Sequence, residues 1–101
     1  MKIEFLFWRE CPSHPEARAL LDEVLAARGL DAEVVEEREV TTTEEAEELA
    51  FPGSPTIRVD GRDVDPAGAG SRPALTCRIY HRPDGRVSPV PTREQIEEAL
   101  G

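Results

Sequence analysis

The segment from Lys2 to Glu16, KIEFLFWRECPSHPE, joins an apolar run to a cysteine and then to a helix start, and no other stretch constrains the fold as much. Ile3, Phe5 and Phe7 fall on one side of an extended chain, Leu6 and Trp8 on the other, which suits a central strand covered on both faces. Cys11-Pro12-Ser13-His14 follows closely. A thiol at the carboxyl end of such a strand, facing the first turn of a helix, sits where open α/β sheets carry their chemistry. The unpaired N–H groups and partial positive charge of a helix start stabilise an anion, here a thiolate. Cys11 is therefore the first candidate for a reactive side chain.

Ala17, Leu20, Leu21, Val24 and Leu25 recur at the spacing of one helical face, and Gly29 supplies the stop. Two starts are open for this helix. Cys11 caps it with Pro12 at the first helical position, or Ser13 caps it with Glu16 three residues on, as a capping box. In the second case the sulfur lies off the dipole and depends on His14 and Arg9 for a lowered pKa. His14 either holds the thiolate as an ion pair and donates a proton to a leaving thiol, or is an exposed residue of the first turn.

Residues 31–40 read as a strand parallel to the first, since a helix crossover separates the two. Thr41 to Thr43 precede Glu44 and Glu45 as overlapping capping boxes, and Ala46, Leu49 and Ala50 form the buried stripe of a short acidic helix. Phe51-Pro52-Gly53-Ser54-Pro55 breaks that helix. Thr56 to Val59 is a strand, Asp60-Gly61 a two-residue hairpin turn, and Arg62 to Val64 the returning strand. Residues 66–76 are a loop by composition. Cys77 to Tyr80 alternates Cys77 and Ile79 against Arg78 and Tyr80, which makes Cys77 a buried small hydrophobe. Pro83-Asp84-Gly85 turns that segment back as a small hairpin, and Thr92 with Gln95 opens the last helix, whose inward face is Ile96, Ala99 and Leu100.

The 101 residues, 39% of them apolar, suffice for one domain over 1–101 with one modest core. A formal charge of −9 with no basic run argues against binding to nucleic acid or an anionic membrane. Glu4 interrupts any leader, and no apolar stretch reaches spanning length, so a cytoplasmic protein is expected. In a reducing compartment, Cys11 and Cys77 are too far apart for a CxxC motif and too few for a disulfide scaffold, which favours catalysis or soft-metal binding. No CxxC or HExxH supports zinc, and no resident metal or cofactor is expected. The charge is uneven. Residues 1–60 carry six basic and fifteen acidic side chains, whereas 66–93 carry five arginines against Asp84 alone. These arginines, Arg78 among them as a substrate-binding candidate, either draw an anionic substrate such as glutathione toward the thiol or pair with the acidic helices.

The order β-α-β-α-β-β-α, the cysteine opening the first helix, and Ser54-Pro55-Thr56 at the start of the third strand together resemble the thioredoxin-like superfamily, with a hairpin similar to that of glutaredoxins. The resemblance covers most of residues 2–65 and the final helix. It implies an α/β fold with a mixed four-stranded sheet, helices on both faces, and an extra loop or hairpin at about 66–91. It also implies a cis Pro55 against Cys11, with Ser54, Pro55 and Thr56 forming the edge that contacts a bound thiol or peptide. One departure stands out: the position three residues after Cys11, where two-cysteine members carry their second thiol, holds His14. Cys11-Pro12-Ser13-His14 is thus a single-thiol variant. The topology offers Cys77 as the missing partner, because the loop after Val64 returns to the end of the sheet where Cys11 lies. A disulfide between them requires Cα atoms within about 7 Å.

The resulting expectation is a thiol-dependent oxidoreductase. Cys11 attacks as thiolate on a small thiol-derived or protein disulfide, and glutathione as co-substrate or Cys77 resolves the intermediate. Two alternatives accompany it. One is a soft-metal or organomercury-handling protein gripping a thiophilic ion through both cysteines, since the Cys-Pro opening with a later Cys-Arg is similar to the core of organomercurial lyases. The other is a binding module that kept the fold without the chemistry.

Overall fold

The computed structural model describes residues 1–101. Strand β1 (Ile3–Phe7) runs through the middle of a four-stranded mixed sheet of order β2-β1-β3-β4. Helix α1 (His14–Ala27) crosses over to β2 (Val35–Glu39), which pairs parallel to β1 from Ile3↔Val35 to Phe7↔Glu39. Helix α2 (Thr43–Glu48) leads to β3 (Thr56–Val59), antiparallel to β1, and the Asp60-Gly61 turn returns the chain as β4 (Arg62–Asp63). Both turn residues have positive φ, 51° at Asp60 and 81° at Gly61, as a two-residue hairpin with the twist of its strands requires. A single turn of helix, α3 (Pro66–Ala69), follows. Then come a two-stranded hairpin of β5 (Tyr80–His81) and β6 (Val87–Ser88) and the last helix, α4 (Arg93–Leu100).

The alternation along β1 divides the core in two. Ile3 and Phe5 face a large cluster with Ala17, Leu21, Val24 and Leu25 of α1, Ile57 and Val59 of β3, and Ile96 and Leu100 of α4. Leu6 faces a small one with Val40, Ala46 and Phe51, against which Trp8 packs. Helix α1 ends as its sequence indicates. Gly29 at φ 73° lets its own N–H reach the Ala26 carbonyl, and the Leu30 N–H reaches Leu25, closing a Schellman motif. Thr92 and Gln95 form the reciprocal capping box of α4. Arg18 ties α1 to β2 through Glu37 and the Ala32 carbonyl. No helix is long and apolar enough to cross a membrane.

Three local readings need correction. The segment expected as a strand over 31–40 begins with a 3-10 turn at Ala32–Val34, because the Asp31 carboxylate accepts the Glu33 N–H and holds the chain in a turn. The expected loop over 66–76 opens with α3. The largest difference lies at residues 77–80. Their alternation is present but inverted: Arg78 and Tyr80 are buried, while Cys77 and Ile79 are exposed.

Arg78 explains the inversion. Its guanidinium forms a two-pronged pair with the Asp63 carboxylate, both bonds 2.8 Å, with the two side chains 3% and 5% exposed. It also donates to the Thr56 hydroxyl and the Asp65 carbonyl, and it lies over the Tyr80 ring at 4.2 Å. Burial, the largest single influence, disfavours the charged form of Arg78, but hydrogen bonding to Asp63 together with the charges of Tyr80, Asp63 and Asp65 outweighs it and raises the pKa. The Tyr80 hydroxyl donates to the Pro55 carbonyl. Gly53 makes room for this strap: at φ 134°, a Cβ there would lie 2.9 Å from the Arg78 Cβ.

Removing one partner of a buried, hydrogen-bonded ion pair strands the other charge. Arg78→Ala should therefore lower unfolding free energy by about 3–5 kcal/mol in urea denaturation. The paired change Arg78→Met with Asp63→Asn should recover much of that loss.

Candidate functional site

Cys11 and Cys77 converge on Ser54. Cys11 lies in the turn between β1 and α1, its N–H bonded to the Trp8 carbonyl at 3.0 Å, and is 1% exposed. Its sulfur lies 3.0 Å from the Ser13 hydroxyl and 3.4 Å from the Ser54 carbonyl. Cys77 reaches the same place from the other side of the chain. Ser54 and Cys77 form an isolated parallel β-bridge: the Ser54 N–H donates to the Thr76 carbonyl and the Arg78 N–H to the Ser54 carbonyl, both at 2.8 Å. This bridge carries the exposed Cys77 to Ser54, the residue whose carbonyl the Cys11 sulfur approaches. Both cysteines are free thiols.

Burial pushes the Cys11 pKa up, yet the net shift is downward. The Ser13 hydroxyl and backbone N–H, the Cys77 thiol and the Ser54 hydroxyl all favour the thiolate, and together they outweigh desolvation. Cys77 moves the opposite way, raised first by its hydrogen bond to Cys11 and then by burial and the neighbouring charge. The two shifts oppose one another, and the ionisations belong to the pair.

Ser13 is the residue whose part in this site the sequence concealed. It is the N-cap of α1, as one of the two open starts required, but its side chain caps nothing. Its backbone is in the helical region and its hydroxyl turns to the Cys11 sulfur instead. Its spacing two residues after the cysteine was the available signal. His14 is placed differently from its expected role. Its ring packs on Phe7 at 4.7 Å between centroids and is not among the groups that shift Cys11. Arg9 faces Glu39, not the thiol.

The Ser54–Pro55 peptide bond is cis. The edge it forms is not free for a substrate, because Thr76 and Arg78 already occupy both backbone groups of Ser54. The Ser54 hydroxyl accepts the Trp8 N–H at 2.9 Å. Thr56 is buried, donating to the Gly53 carbonyl at 2.7 Å and accepting from Arg78. Thr56 and Arg78 are therefore internal struts, not residues open to a ligand. Arg93 and Arg86 also pair within the protein, with Glu23 and Glu97 and with Asp84.

In a titration of thiolate absorbance, the wild type should ionise in two steps, one below and one above the ordinary thiol value. Ser13→Ala should raise the first step by removing a donor to the Cys11 anion. Cys11→Ser should bring Cys77 back down, since Cys11 is the main cause of its raised pKa. A single step at the ordinary value in all three proteins would contradict the opposed shifts of the pair.

No protein-family model, curated protein or solved structure matches this chain.

Proposed function

We propose that this protein is a thiol-disulfide oxidoreductase of thioredoxin-like fold whose redox couple is Cys11 and Cys77. The observation that carries this reading is the convergence of the two cysteines on Ser54: the Cys11 sulfur lies 3.4 Å from the Ser54 carbonyl, and Cys77 is bridged to the same residue. Thiol-disulfide exchange needs a thiolate at working pH and a second sulfur in reach to release the mixed disulfide. Cys11 is shifted toward its anion, and Cys77 is bridged to the residue that the Cys11 sulfur approaches. The strand order β2-β1-β3-β4 and the cis Ser54–Pro55 bond beside Cys11 support the thioredoxin-like resemblance.

In the oxidising direction the dithiol gives two electrons to an external disulfide. That substrate leaves as two thiols, and a Cys11–Cys77 disulfide forms. Glutathione reverses the step, with two molecules becoming one of oxidised glutathione. The couple takes the place of the dithiol motif that His14 interrupts, drawing its second sulfur from 66 residues further along the chain (77 − 11).

The same convergence favours a second reading. Two thiols facing one another suit a soft, low-coordinate cation, taken as cargo, better than any oxygen site in the chain. Cys11 and Cys77 would then be its ligands.

Intact mass after exposure to oxidised glutathione separates the readings. Oxidoreduction requires that the wild type lose two hydrogens and keep no glutathione, and that Cys11→Ser and Cys77→Ser each lose this ability. A wild type that ends as a stable glutathione adduct, or that does not react, would overturn the redox reading. Inertness to the disulfide combined with one-to-one retention of Hg(II) against competing thiol, lost in either variant, would establish the second.

A further inference from the structure

The two thiols of the couple are not equally placed. Cys11 is 1% exposed, enclosed by the Ser13 hydroxyl, the Ser54 carbonyl and Cys77, whereas Cys77 faces solvent. Exchange requires the attacking sulfur to approach the disulfide along its S–S axis, so access counts beside thiolate fraction in setting which thiol reacts first. A disulfide from solution meets Cys77 before it can meet Cys11. The edge of Ser54 adds a second constraint. An extended peptide aligns on such an edge by adding backbone hydrogen bonds, but both backbone groups of Ser54 are taken by Thr76 and Arg78. A peptide could bind there only by displacing the segment that carries Cys77. That segment is anchored by the buried Arg78–Asp63 pair one residue away.

We propose that Cys77 attacks the incoming disulfide and Cys11 resolves it, and that the substrate is a compact disulfide of the oxidised-glutathione class, not an extended peptide. This assignment rests on the redox-couple reading above and inverts the roles that the sequence suggests.

The reacting form of the couple carries one proton, on Cys77, with Cys11 as the thiolate. As the Cys77 sulfur attacks R–S–S–R, its proton passes to Cys11. A Cys77–S bond forms, the substrate S–S bond breaks, and RS⁻ leaves. Cys11 then gives the proton to the departing thiolate and becomes an anion again. It attacks the Cys77 sulfur, forms the Cys11–Cys77 bond and expels the second RS⁻. Two electrons have passed to the substrate, and the products are one RSH and one RS⁻, so charge and protons balance. Cys11 takes the Cys77 proton only as the attack proceeds, and its lowered pKa serves the second step, by returning it to the anion that resolves the mixed disulfide.

The test traps the intermediate with oxidised glutathione as probe. Cys11→Ser should accumulate one glutathione on Cys77, identified by peptide mapping, and Cys77→Ser should acquire glutathione on Cys11 at least tenfold more slowly. Cys11→Ser keeps the size of the side chain. The wild type gives an independent reading: brief treatment with substoichiometric iodoacetamide should label Cys77 first. Equal or faster adduct formation in Cys77→Ser, or first labelling at Cys11, would overturn the order of attack while leaving the couple intact. The couple itself fails only if the wild type forms no internal disulfide. The substrate class is tested by oxidising the wild type with glutathione disulfide or with a peptide disulfide of extended sequence at equal concentration. The first should be faster, and a faster peptide would overturn that part.

Discussion

The arrangement of this protein depends on the burial of one cation. Arg78 enters the interior because Asp63 meets it with two hydrogen bonds, while Thr56, the Asp65 carbonyl and the face of Tyr80 take up much of the rest of its surface. An isolated guanidinium at this depth would be strongly unfavourable, and an isolated Asp63 equally so. The pair is therefore a fixed point more than a source of net stability. Gly53 and Gly68 carry no side chain where it passes: a Cβ at Gly68 would come within 3.0 Å of the Arg78 guanidinium. With Arg78 fixed, its backbone N–H lies on the Ser54 carbonyl and Cys77 is carried to Ser54, whose carbonyl the Cys11 sulfur also approaches.

The chemistry of the thiols follows from that placement. Cys11 is buried, and burial by itself would keep it protonated and inert. Three side-chain donors, from Ser13, Cys77 and Ser54, together with the Ser13 N–H, reverse that tendency. Two of the four contributions come from groups that would ordinarily do something else. Ser13 gives up capping α1, and the segment around Cys77 occupies a strand edge that could have received a ligand. The sheet ends where β1 and β3 meet, and the molecule fills that end with its own chain.

Much of this frame was legible in the residues. The two-sided apolar pattern of β1, the stripe of α1 with its glycine stop, the Asp60-Gly61 turn and the Thr92 capping box are all local rules, each set within a few positions of sequence. What escaped such reading depended on distant partners. Alternation correctly paired Cys77 with Ile79 and Arg78 with Tyr80, but its phase was assigned from hydrophobicity, which sends arginine outward. The decisive partner, Asp63, lies fifteen positions away and is an ordinary hairpin residue until the fold brings it under Arg78. Ser13 escaped for a related reason. A serine before a helix has two possible hydrogen-bonding partners, and only the position of the sulfur selects between them. The approach of both cysteines to Ser54, in contrast, follows from topology, since β4 returns the chain to the end of the sheet where β1 finishes.

If the Arg78–Asp63 pair holds the thiols together, loosening it must weaken the couple without touching either sulfur. The direct measurement is the effective molarity of the Cys11–Cys77 disulfide in glutathione redox buffers, compared between the wild type and Asp63→Asn under conditions where circular dichroism shows both folded. A fall of about tenfold or more is expected in the variant, as the segment carrying Cys77 is held less firmly. An unchanged effective molarity would show that the thiols meet without the clamp, and the central claim would be wrong.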